Sequence, residues 1–456
     1  YDEITYTEAV DVMTAAGVFN GYDDGSSFNP TGTLTREQAA KIITYMLVGQ
    51  DQADRLTTTI APYSDVSADR WSAGAIAYCT NEGIIAGTGS GTFEPTRAVT
   101  GLEFAKMLLV ALGYDATIQS LEGSSWAINT ATLALGEPAL DTELEDLSLS
   151  DDLTREQAAQ MAFNAMQADI VEYDSQTSID IDGTTVNIGN TSAQAVTTTR
   201  DWGANINDDG ADGTSSDPYT VQFAEQYCRD LVLSETDETD AFGRPAVMWT
   251  YDGEEVGTYG DEADYTVILD DDYSSEAASA DDFLEVMQDL TDNDDLELYT
   301  VGDTDDVNLY VNGNDMSGED YSADAVLGTV VELFCDEDDS DVIIDVVAYN
   351  YTLYQIDEID TDVTSSDERN GVSAYVNLSN GVTYDNTDVP GYSACTYEED
   401  AYVAAIINDD DEIVDSFIPE VVTGNVTTRN TSDLYVTVSG ERYYAVAATY
   451  DSSSLS

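Results

Sequence analysis

The sequence predicts an α+β multidomain protein, with a helical N-terminal bundle of three repeated modules followed by β-rich domains of sandwich-like or barrel-like type. Two observations predict this division. Before residue 170 the same capped helical pattern occurs three times. After Tyr173 that pattern fades, and short runs of alternating apolar residues separated by turns replace it. With 456 residues, 42% of them hydrophobic, the chain is long enough to bury several cores.

Three capped helix starts define the N-terminal region. The letters LTREQAA occur at 34–40 and again at 153–159. Capping boxes are predicted in these two copies and at one further place, with the pairs Thr35 and Gln38, Thr100 and Glu103, and Thr154 and Gln157. Apolar residues then follow at positions i, i+3, i+4, i+7 and i+8, which is the pattern of one buried helical face. The sequence therefore predicts three equivalent helices.

A shorter helix is predicted before the capped ones, most clearly in WSAGAIAYCTNEGII (71–85) and ITYTEAVDVMTAAGVF (4–19). A glycine-rich turn ending in Phe-x-Pro joins the two helices in the first two modules. Glycine ends the first helix and lets the backbone turn, while Phe28 and Phe93 are placed to fill the gap between helices. The repeating unit is thus a helix, a glycine loop and a capped helix.

These motifs resemble the S-layer homology modules of bacterial cell-surface proteins. The resemblance rests on SDVSADRW (64–71), GIIAGTGSGTFEP (83–95) and the LTRE starts at Leu34 and Leu153. It implies three modules, at 1–54, 55–115 and 116–170. The chain departs from the pattern in three ways: Tyr6 stands where tryptophan is common, Gly101 replaces an arginine, and LGEPALDTELEDLSLSDD replaces the third glycine loop. A full set of three equivalent ligand sites is therefore not expected.

Arg36 and Arg155 are the candidate ligand-binding residues. Each takes the first helical position, where the helix dipole makes a cation unfavourable by roughly 0.3–1 kcal/mol. Free backbone N–H groups and a guanidinium fork at this place would together form a carboxylate receptor. The family resemblance implies that the arginines hold a secondary cell-wall polysaccharide, often one with a pyruvate ketal, and that Trp71 and Trp126 offer flat faces to its sugar. The alternatives are an ion pair between each arginine and an acid of the neighbouring module, and a core position for both tryptophans.

The region after residue 170 is predicted to form three β-rich domains, at 171–294, 295–360 and 361–456. Asp182-Gly183 and Ser439-Gly440 have the composition of hairpin turns. Two stretches with apolar flanks and an acidic tip, 330–348 and 402–419, look like copies of one element, and SADDFLEVMQDL (279–290) predicts a helix. The last strand pattern has no closing element, so either the final domain ends there or the chain is the front part of a longer protein, and the second alternative is favoured.

The charge of the chain excludes several classes of partner. There are 92 acidic and 13 basic residues, which give a formal net charge of −79, and there is no histidine. Nucleic acids and anionic membrane surfaces need clustered Lys and Arg, so neither is an expected partner. No apolar run approaches the ~18 residues that a membrane span requires, so membrane insertion is not expected.

No cofactor is identified with certainty, and calcium is the one candidate. Acidic tips at 270–272, 336–339 and 409–411 would collect this ion, although none has EF-hand spacing and solvated turns are the alternative. The cysteines do not have the spacing of a zinc site. Cys79 is predicted to lie in the core, and a bond between Cys335 and Cys395 is left open.

The sequence predicts a structural, non-enzymatic cell-surface protein. Without histidine, Ser-His-Asp and Cys-His arrangements cannot form. The favoured hypothesis is an extracellular S-layer type protein that is anchored to cell-wall polysaccharide by its three modules and self-associates through its β domains into an array. The alternatives are a subunit of an extracellular filament, in which the helical bundle mediates subunit packing, and a wall-anchored glycan hydrolase.

Overall fold

The computed structural model describes two compact units. It describes residues 4–21, 28–144, 147–173, 177–181, 184–188, 192–200, 206, 211, 213–269, 273, 279–301, 304–305, 307–317, 328–336, 339–364, 371–392, 396–430 and 435–444. The helical unit consists of Tyr1–Glu235 and Met248–Tyr259, and the β-rich unit consists of Thr236–Val247 and Gly260–Ser456. The predicted α+β architecture, helical first and β-rich afterwards, is confirmed.

Eight of the described helices lie in the helical unit. They are α1 (Thr7–Ala15), α2 (Arg36–Val48), α3 (Gln50–Ala53), α4 (Ala73–Asn81), α5 (Gly101–Ala111), α6 (Trp126–Ala134), α7 (Arg155–Gln167) and α8 (Phe223–Tyr227). All three predicted capping boxes are present at the starts of α2, α5 and α7. In each box the threonine hydroxyl accepts from the third helical N–H, and the Gln or Glu side chain accepts from the threonine N–H. Local sequence therefore fixes where these helices begin.

A closed ring of hydrogen bonds joins the three capped helix starts. Leu34 N donates to Leu153 O at 2.9 Å, Leu153 N donates to Val99 O at 3.0 Å, and Val99 N donates to Leu34 O at 3.0 Å. All three side chains are fully buried. Since each segment donates to one neighbour and accepts from the other, the three helix pairs surround this ring as equivalent parts of one bundle.

Hydrophobic faces of the helices pack around the ring. The packed pairs include α1 with α7, α2 with α4, and α5 with both α6 and α7. Phe93 is fully buried at the end of its glycine loop, and Tyr63 stacks on it with 5.4 Å between ring centroids. Phe28 lies 5.9 Å from Phe19 at the corresponding place in the first module. Each phenylalanine thus packs on an aromatic ring, and its filling of the gap between helices stays a prediction.

Short strands follow the bundle. They are β1 (Val171–Glu172), β2 (Thr177–Ile181), β3 (Thr184–Ile188), β4 (Gln194–Ala195), β5 (Thr197–Thr198) and β6 (Tyr219–Thr220), which pair as β1 with β4, β2 with β3, and β5 with β6. β2 and β3 pair antiparallel up to Ile181 and Thr184, as the hairpin prediction requires, although its turn residues Asp182 and Gly183 lie outside the described residues. A three-stranded sheet with the order β7-β8-β9 is formed by β7 (Leu231–Thr239), β8 (Pro245–Tyr251) and β9 (Glu254–Gly260).

The first large sheet of the β-rich unit has six strands. They are β10 (Tyr265–Ile268), β11 (Glu297–Leu298), β14 (Asn308–Val311), β15 (Asn314–Asp315), β16 (Val330–Asp336) and β17 (Asp339–Tyr349), in the order β10-β16-β17-β14-β15 with β11 also paired to β17. α9 (Ala280–Thr291) forms where a helix was predicted, and its Phe283 and Met287 are part of the buried core of this sheet. The small pair β12 (Thr300–Val301) and β13 (Thr304–Asp305) lies in the same stretch of chain.

The second large sheet has five antiparallel strands in the order β20-β19-β18-β21-β22. They are β18 (Thr352–Asp360), β19 (Tyr375–Leu378), β20 (Thr383–Asp385), β21 (Tyr402–Ile407) and β22 (Ile413–Phe417). A last sheet contains β23 (Val426–Asn430), β24 (Tyr435–Val438) and β25 (Glu441–Tyr444). The turn before β25 has φ 53° at Ser439 and 100° at Gly440, the left-handed backbone of a tight hairpin.

Both predicted copies of the acidic-tipped element form antiparallel hairpins, β16 with β17 and β21 with β22. The division of 171–456 into three domains stays a prediction. Strand pairs run across two of its boundaries, because β10 pairs with β16 and β18 pairs with β21. No helix among the described residues has both the length and the apolar character needed to cross a bilayer.

Candidate functional site

The first turns of α2 and α7 are held by neighbouring modules through backbone hydrogen bonds. The capping boxes satisfy the threonine N–H and the third helical N–H. The two N–H groups between them donate to carbonyls at the end of a glycine loop, with the pairs Arg36 N to Arg97 O (2.9 Å), Glu37 N to Pro95 O (3.0 Å), Arg155 N to Gly32 O (2.8 Å) and Glu156 N to Pro30 O (3.1 Å). The free N–H groups expected in a carboxylate receptor are therefore already paired, and that part of the prediction is wrong.

The side chain of Arg36 extends into the glycine loop of the second module. Its Nε donates to Phe93 O at 3.0 Å, Nη2 donates to Ala86 O at 3.2 Å, and Nη1 lies 3.3 Å from Glu103 Oε1. The guanidinium also lies over the Phe93 ring, 4.7 Å from its centroid. Burial lowers the pKa of Arg36, and the Glu103 carboxylate opposes this shift. With 5% of Arg36 exposed, the arginine both fixes the loop and makes the ion pair that the alternative hypothesis expected.

Arg155 makes the corresponding contacts with the loop of the first module. Its Nε donates to Phe28 O and its Nη2 to Asn20 O, both at 2.9 Å. The guanidinium lies 4.8 Å from the Phe28 ring centroid and 5.7 Å from that of Phe19. Arg155 is 6% exposed. The arginines of the two LTREQAA copies therefore have the same structural role, since each one binds the glycine loop of another module.

The tryptophans lie just before or at the start of the short first helices. Trp71 is 59% exposed two residues before α4, so the alternative of a core position is wrong for this residue. Trp126 is the first residue of α6 and is half-buried. Each tryptophan borders a pocket that one of the two arginines also lines.

These two pockets occupy equivalent places in the bundle, and each also contains a lysine. The Lys106 pocket, of about 370 Å³, is bordered by Arg36, Ala86, Gly87, Lys106 and Trp126. The Lys41 pocket, of about 250 Å³, is bordered by their counterparts Arg155, Asn20, Gly21, Lys41 and Trp71. In both, the arginine, the lysine and the tryptophan come from three different helix pairs of the bundle. The structure thus brings together the four predicted site residues, in two pairs.

The lysines were missed by the sequence-based prediction of the site. Lys41 and Lys106 are the only two lysines in the chain, and each occupies the same place in its capped helix. The sequence could have indicated these two residues, because lysine occurs only twice and at the same distance from the capping threonine each time. Its meaning depends on the bundle, because only the ring of modules brings each lysine near an arginine and a tryptophan from other modules.

A third place in the bundle is equivalent to these two pockets, but it has neither the arginine nor the lysine. Gly101 replaces the arginine, and a Cβ atom at this glycine would lie 2.9 Å from the Leu149 Cα atom. Gln160 takes the place of the lysine and is buried, donating to Asn164 Oδ1 at 3.0 Å. The chain that replaces the third glycine loop therefore leaves no space for an arginine at the start of α5.

The other candidate sites have little structural support. Of the acidic tips, residues 270–272 and 337–338 lie outside the described residues, and the described part of the chain contains no cluster of three or more Asp, Glu or Cys side chains placed to hold a metal ion. Cys79 is buried, as predicted, and donates to Ala40 O at 3.4 Å. Cys335 is a free thiol, and Cys395 lies outside the described residues.

Comparisons with known proteins match this region. The S-layer homology domain model matches residues 1–40 and 62–105, so two modules are matched and the third stays a prediction. Cell surface glycoprotein 1 of Acetivibrio thermocellus is 34% identical over 121 residues, 26% of this chain and 5% of that protein. The surface-layer 125 kDa protein of Lysinibacillus sphaericus is 36% identical over 104 residues, 23% of this chain and 8% of that protein. An endoglucanase of Bacillus sp. is 30% identical over 110 residues, 23% of this chain and 12% of that protein. The chain thus spans only a small part of the length of each relative.

Proposed function

Because this chain is an S-layer homology domain protein of the bacterial cell surface, we propose that its helical unit binds a secondary cell-wall polysaccharide that carries carboxylate groups. The ligand is held in the Lys41 and Lys106 pockets. The protein is then retained at the wall without a covalent bond and without insertion into the membrane.

One observation carries the proposal: two equivalent pockets each combine an arginine, a tryptophan and one of the only two lysines in the chain. In a chain of net charge −79, cations are scarce. Lysine supplies a compact point charge for a carboxylate, and an arginine lines the same pocket. The tryptophan offers an apolar face against which a sugar ring packs. This set suits an acidic sugar better than a neutral one.

The proposal includes two ligand sites in each chain. The third position has Gly101 and the buried Gln160 where a site would need cations. A polymer with repeated acidic groups would then bind at two places on one bundle, and the second contact would form at a high effective concentration. Loss of one pocket is expected to weaken attachment, and loss of both to abolish it.

A binding assay on purified cell walls tests the proposal. The wild-type chain and a Lys41→Met, Lys106→Met double variant are mixed with walls and sedimented, and the bound fraction is measured. Binding is expected to fall at least about tenfold in the double variant, because each pocket loses its ammonium group. Arg55→Ala is the matched control, since this exposed residue lines neither pocket and its nearest acidic partner, Asp51, is 4.0 Å away. Equal binding by the wild type and the double variant would refute the proposal.

We also propose that the β-rich unit self-associates into the surface array. The five-stranded sheet places Leu353 and Phe417 on either side of Ala404, and both side chains are about half exposed. Tyr402, also about half exposed, lies two residues along the same strand. This apolar row is a surface on which copies of so acidic a chain would meet with little charge repulsion.

Sedimentation velocity tests self-association in the presence of calcium and after chelation. The wild-type chain is expected to form large assemblies with calcium and to dissociate on chelation, because cations reduce repulsion between acidic subunits. Phe417→Asp is expected to remain monomeric in both conditions. A monomeric wild type at high concentration with calcium would contradict the array proposal and leave the wall-binding proposal untouched.

The proposed role is not enzymatic. The similarity to an endoglucanase covers 23% of this chain and leaves most of it unmatched. The pockets combine cations with an aromatic face, a set that suits binding of an acidic sugar.

A further inference from the structure

The two pocket lysines differ in their partners. Lys41 Nζ lies 2.8 Å from Asp54 Oδ1 and 3.5 Å from Ala53 O. Lys106 makes no hydrogen bond or ion pair with any residue that the structure describes. Equivalent positions thus hold one ammonium group that is paired and one that has no partner in the described part of the chain.

Asp54 is fixed beside Lys41. It follows the short helix α3 as its C-cap residue, and its Oδ1 also accepts from the Tyr45 hydroxyl at 2.9 Å. The Lys41 side chain is 14% exposed, whereas that of Asp54 is 52% exposed. Two donors therefore hold the carboxylate against the ammonium group. Asp54 is not among the residues that line the Lys41 pocket, so it would affect a ligand through its hold on the Lys41 ammonium group.

We propose that Asp54 competes with the ligand carboxylate for Lys41 and so lowers the affinity of the Lys41 pocket. This inference rests on the proposed function of the two pockets. A bound carboxylate would share the ammonium donors with Asp54 and would also be repelled by it over a few ångströms. When residue 54 is a neutral asparagine, the repulsion is absent and the competition for the ammonium donors is weaker.

The acidic residues of the other pocket act differently. Glu103 lines the Lys106 pocket, but it accepts from Arg97 at 2.6 Å and lies 3.3 Å from Arg36, so two guanidinium groups offset its charge. Glu122, also in the lining, is exposed, and water screens its charge. Neither is paired with Lys106, so the competition is specific to the Lys41 pocket.

The number of lysines gives a direct experiment. Protein labelled with ¹³C at the lysine ε position gives two lysine signals, one from each pocket. The Lys41→Met variant lacks one of them and so assigns each signal to its lysine. The probe is a monosaccharide with a pyruvate ketal, and its methyl ester is the uncharged control. Titration is expected to shift both signals in the wild type. In Asp54→Asn the Lys41 signal is expected to respond at about threefold to tenfold lower probe concentration, with the Lys106 response unchanged.

A matched variant controls for the change in total charge. Asp51→Asn removes one negative charge from the same short helix, and Asp51 contacts Arg55 and not Lys41. It is expected to leave both responses as in the wild type. The amide introduced by Asp54→Asn retains an oxygen that can accept from Tyr45, and a thermal melt shows whether this variant is folded.

Each outcome separates this inference from the proposed function. If neither lysine signal responds in the wild type, the proposed function fails. If both respond and Asp54→Asn leaves the Lys41 response unchanged, or matches the Asp51→Asn control, the inference is wrong and the pockets still bind. A weaker Lys41 response in Asp54→Asn would also overturn it, because Asp54 would then position Lys41 for the ligand.

Discussion

The buried carboxylate of Glu37 gives the sharpest prediction about stability. Glu37 is the second residue of α2 and accepts two hydrogen bonds from Arg70, Nε to Oε2 and Nη2 to Oε1, both at 2.7 Å. Ser72 Oγ donates to Oε2 at 2.6 Å. These bonds join the first module to the segment that enters the first helix of the second. We expect Glu37→Ala to destabilise the helical unit.

The size of the effect follows from the burial of each partner. Ser72 is fully buried and would lose its acceptor, which costs about 1–3 kcal/mol. The Arg70 side chain is 29% exposed, so water can solvate its guanidinium when Glu37 is removed. Loss of this ion pair therefore costs about 1 kcal/mol, which is less than the cost of breaking a fully buried pair. The sum of about 2–4 kcal/mol lowers the melting temperature by roughly 5–15 °C. Glu37→Gln, which keeps an acceptor for Ser72, should have a smaller effect.

Thermal unfolding followed by far-ultraviolet circular dichroism measures this change. Asp51→Ala is the matched control, because Asp51 and Arg55 are 4.0 Å apart and both are largely exposed, so their pair contributes little. Its effect is expected to stay within about 0.5 kcal/mol of zero. If Glu37→Ala unfolds at the same temperature as Asp51→Ala, the contacts between modules do not stabilise the bundle as argued.

Three further predictions concern single positions. Gly101→Arg restores the arginine that the third position lacks, yet it should lower the melting temperature and leave two bound probe molecules per chain, because the Leu149 backbone fills that space; a third bound probe would contradict this. Burial raises the pKa of Cys79 to about 11, so iodoacetamide should modify it only after unfolding, and rapid labelling of the native chain would show that its helix opens readily. Lys41 lowers the pKa of Asp54 below its ordinary 3.8, so the stability from this pair is complete above pH 3.8 and is lost as the pH falls through the lowered pKa. The difference in melting temperature between the wild type and Asp54→Asn should therefore shrink in acid, and a difference that persists there would have another cause.

Local signals predicted the helices and hairpins well. The capping boxes at Thr35, Thr100 and Thr154 fix the starts of three helices through bonds within four residues, so the sequence alone specifies them. The hairpin at Ser439 and Gly440 is equally local, because both residues adopt positive φ values in the turn. Such elements do not depend on the rest of the chain.

Contacts between distant segments could not be predicted in the same way. The parallel pairing of β14 with β17 places Asn308 beside Asp345, and nothing in either strand specifies the other. For the same reason the predicted boundaries at 294 and 360 fall between strands that pair across them. At the site, the sequence singled out both arginines as candidates, and their role in ligand binding stays a prediction. The sequence did not show that their helix N–H groups would be paired with carbonyls at the ends of other loops.

The contacts of Arg36 explain why an arginine, and not a lysine, begins the capped helix. A guanidinium has five N–H donors in a rigid plane, and Arg36 directs three nitrogen atoms to Phe93 O, Ala86 O and Glu103. These acceptors lie in different directions, so one ammonium group could not reach all of them, whereas the fork reaches them and still presents an edge to the Lys106 pocket. The arginine therefore shapes the pocket through contacts within the protein itself. If Arg36→Ala lost wall binding, the cause would be either a displaced loop or a lost ligand contact. The lysine variants separate these causes, because they remove charge and leave the loop contacts of Arg36 in place.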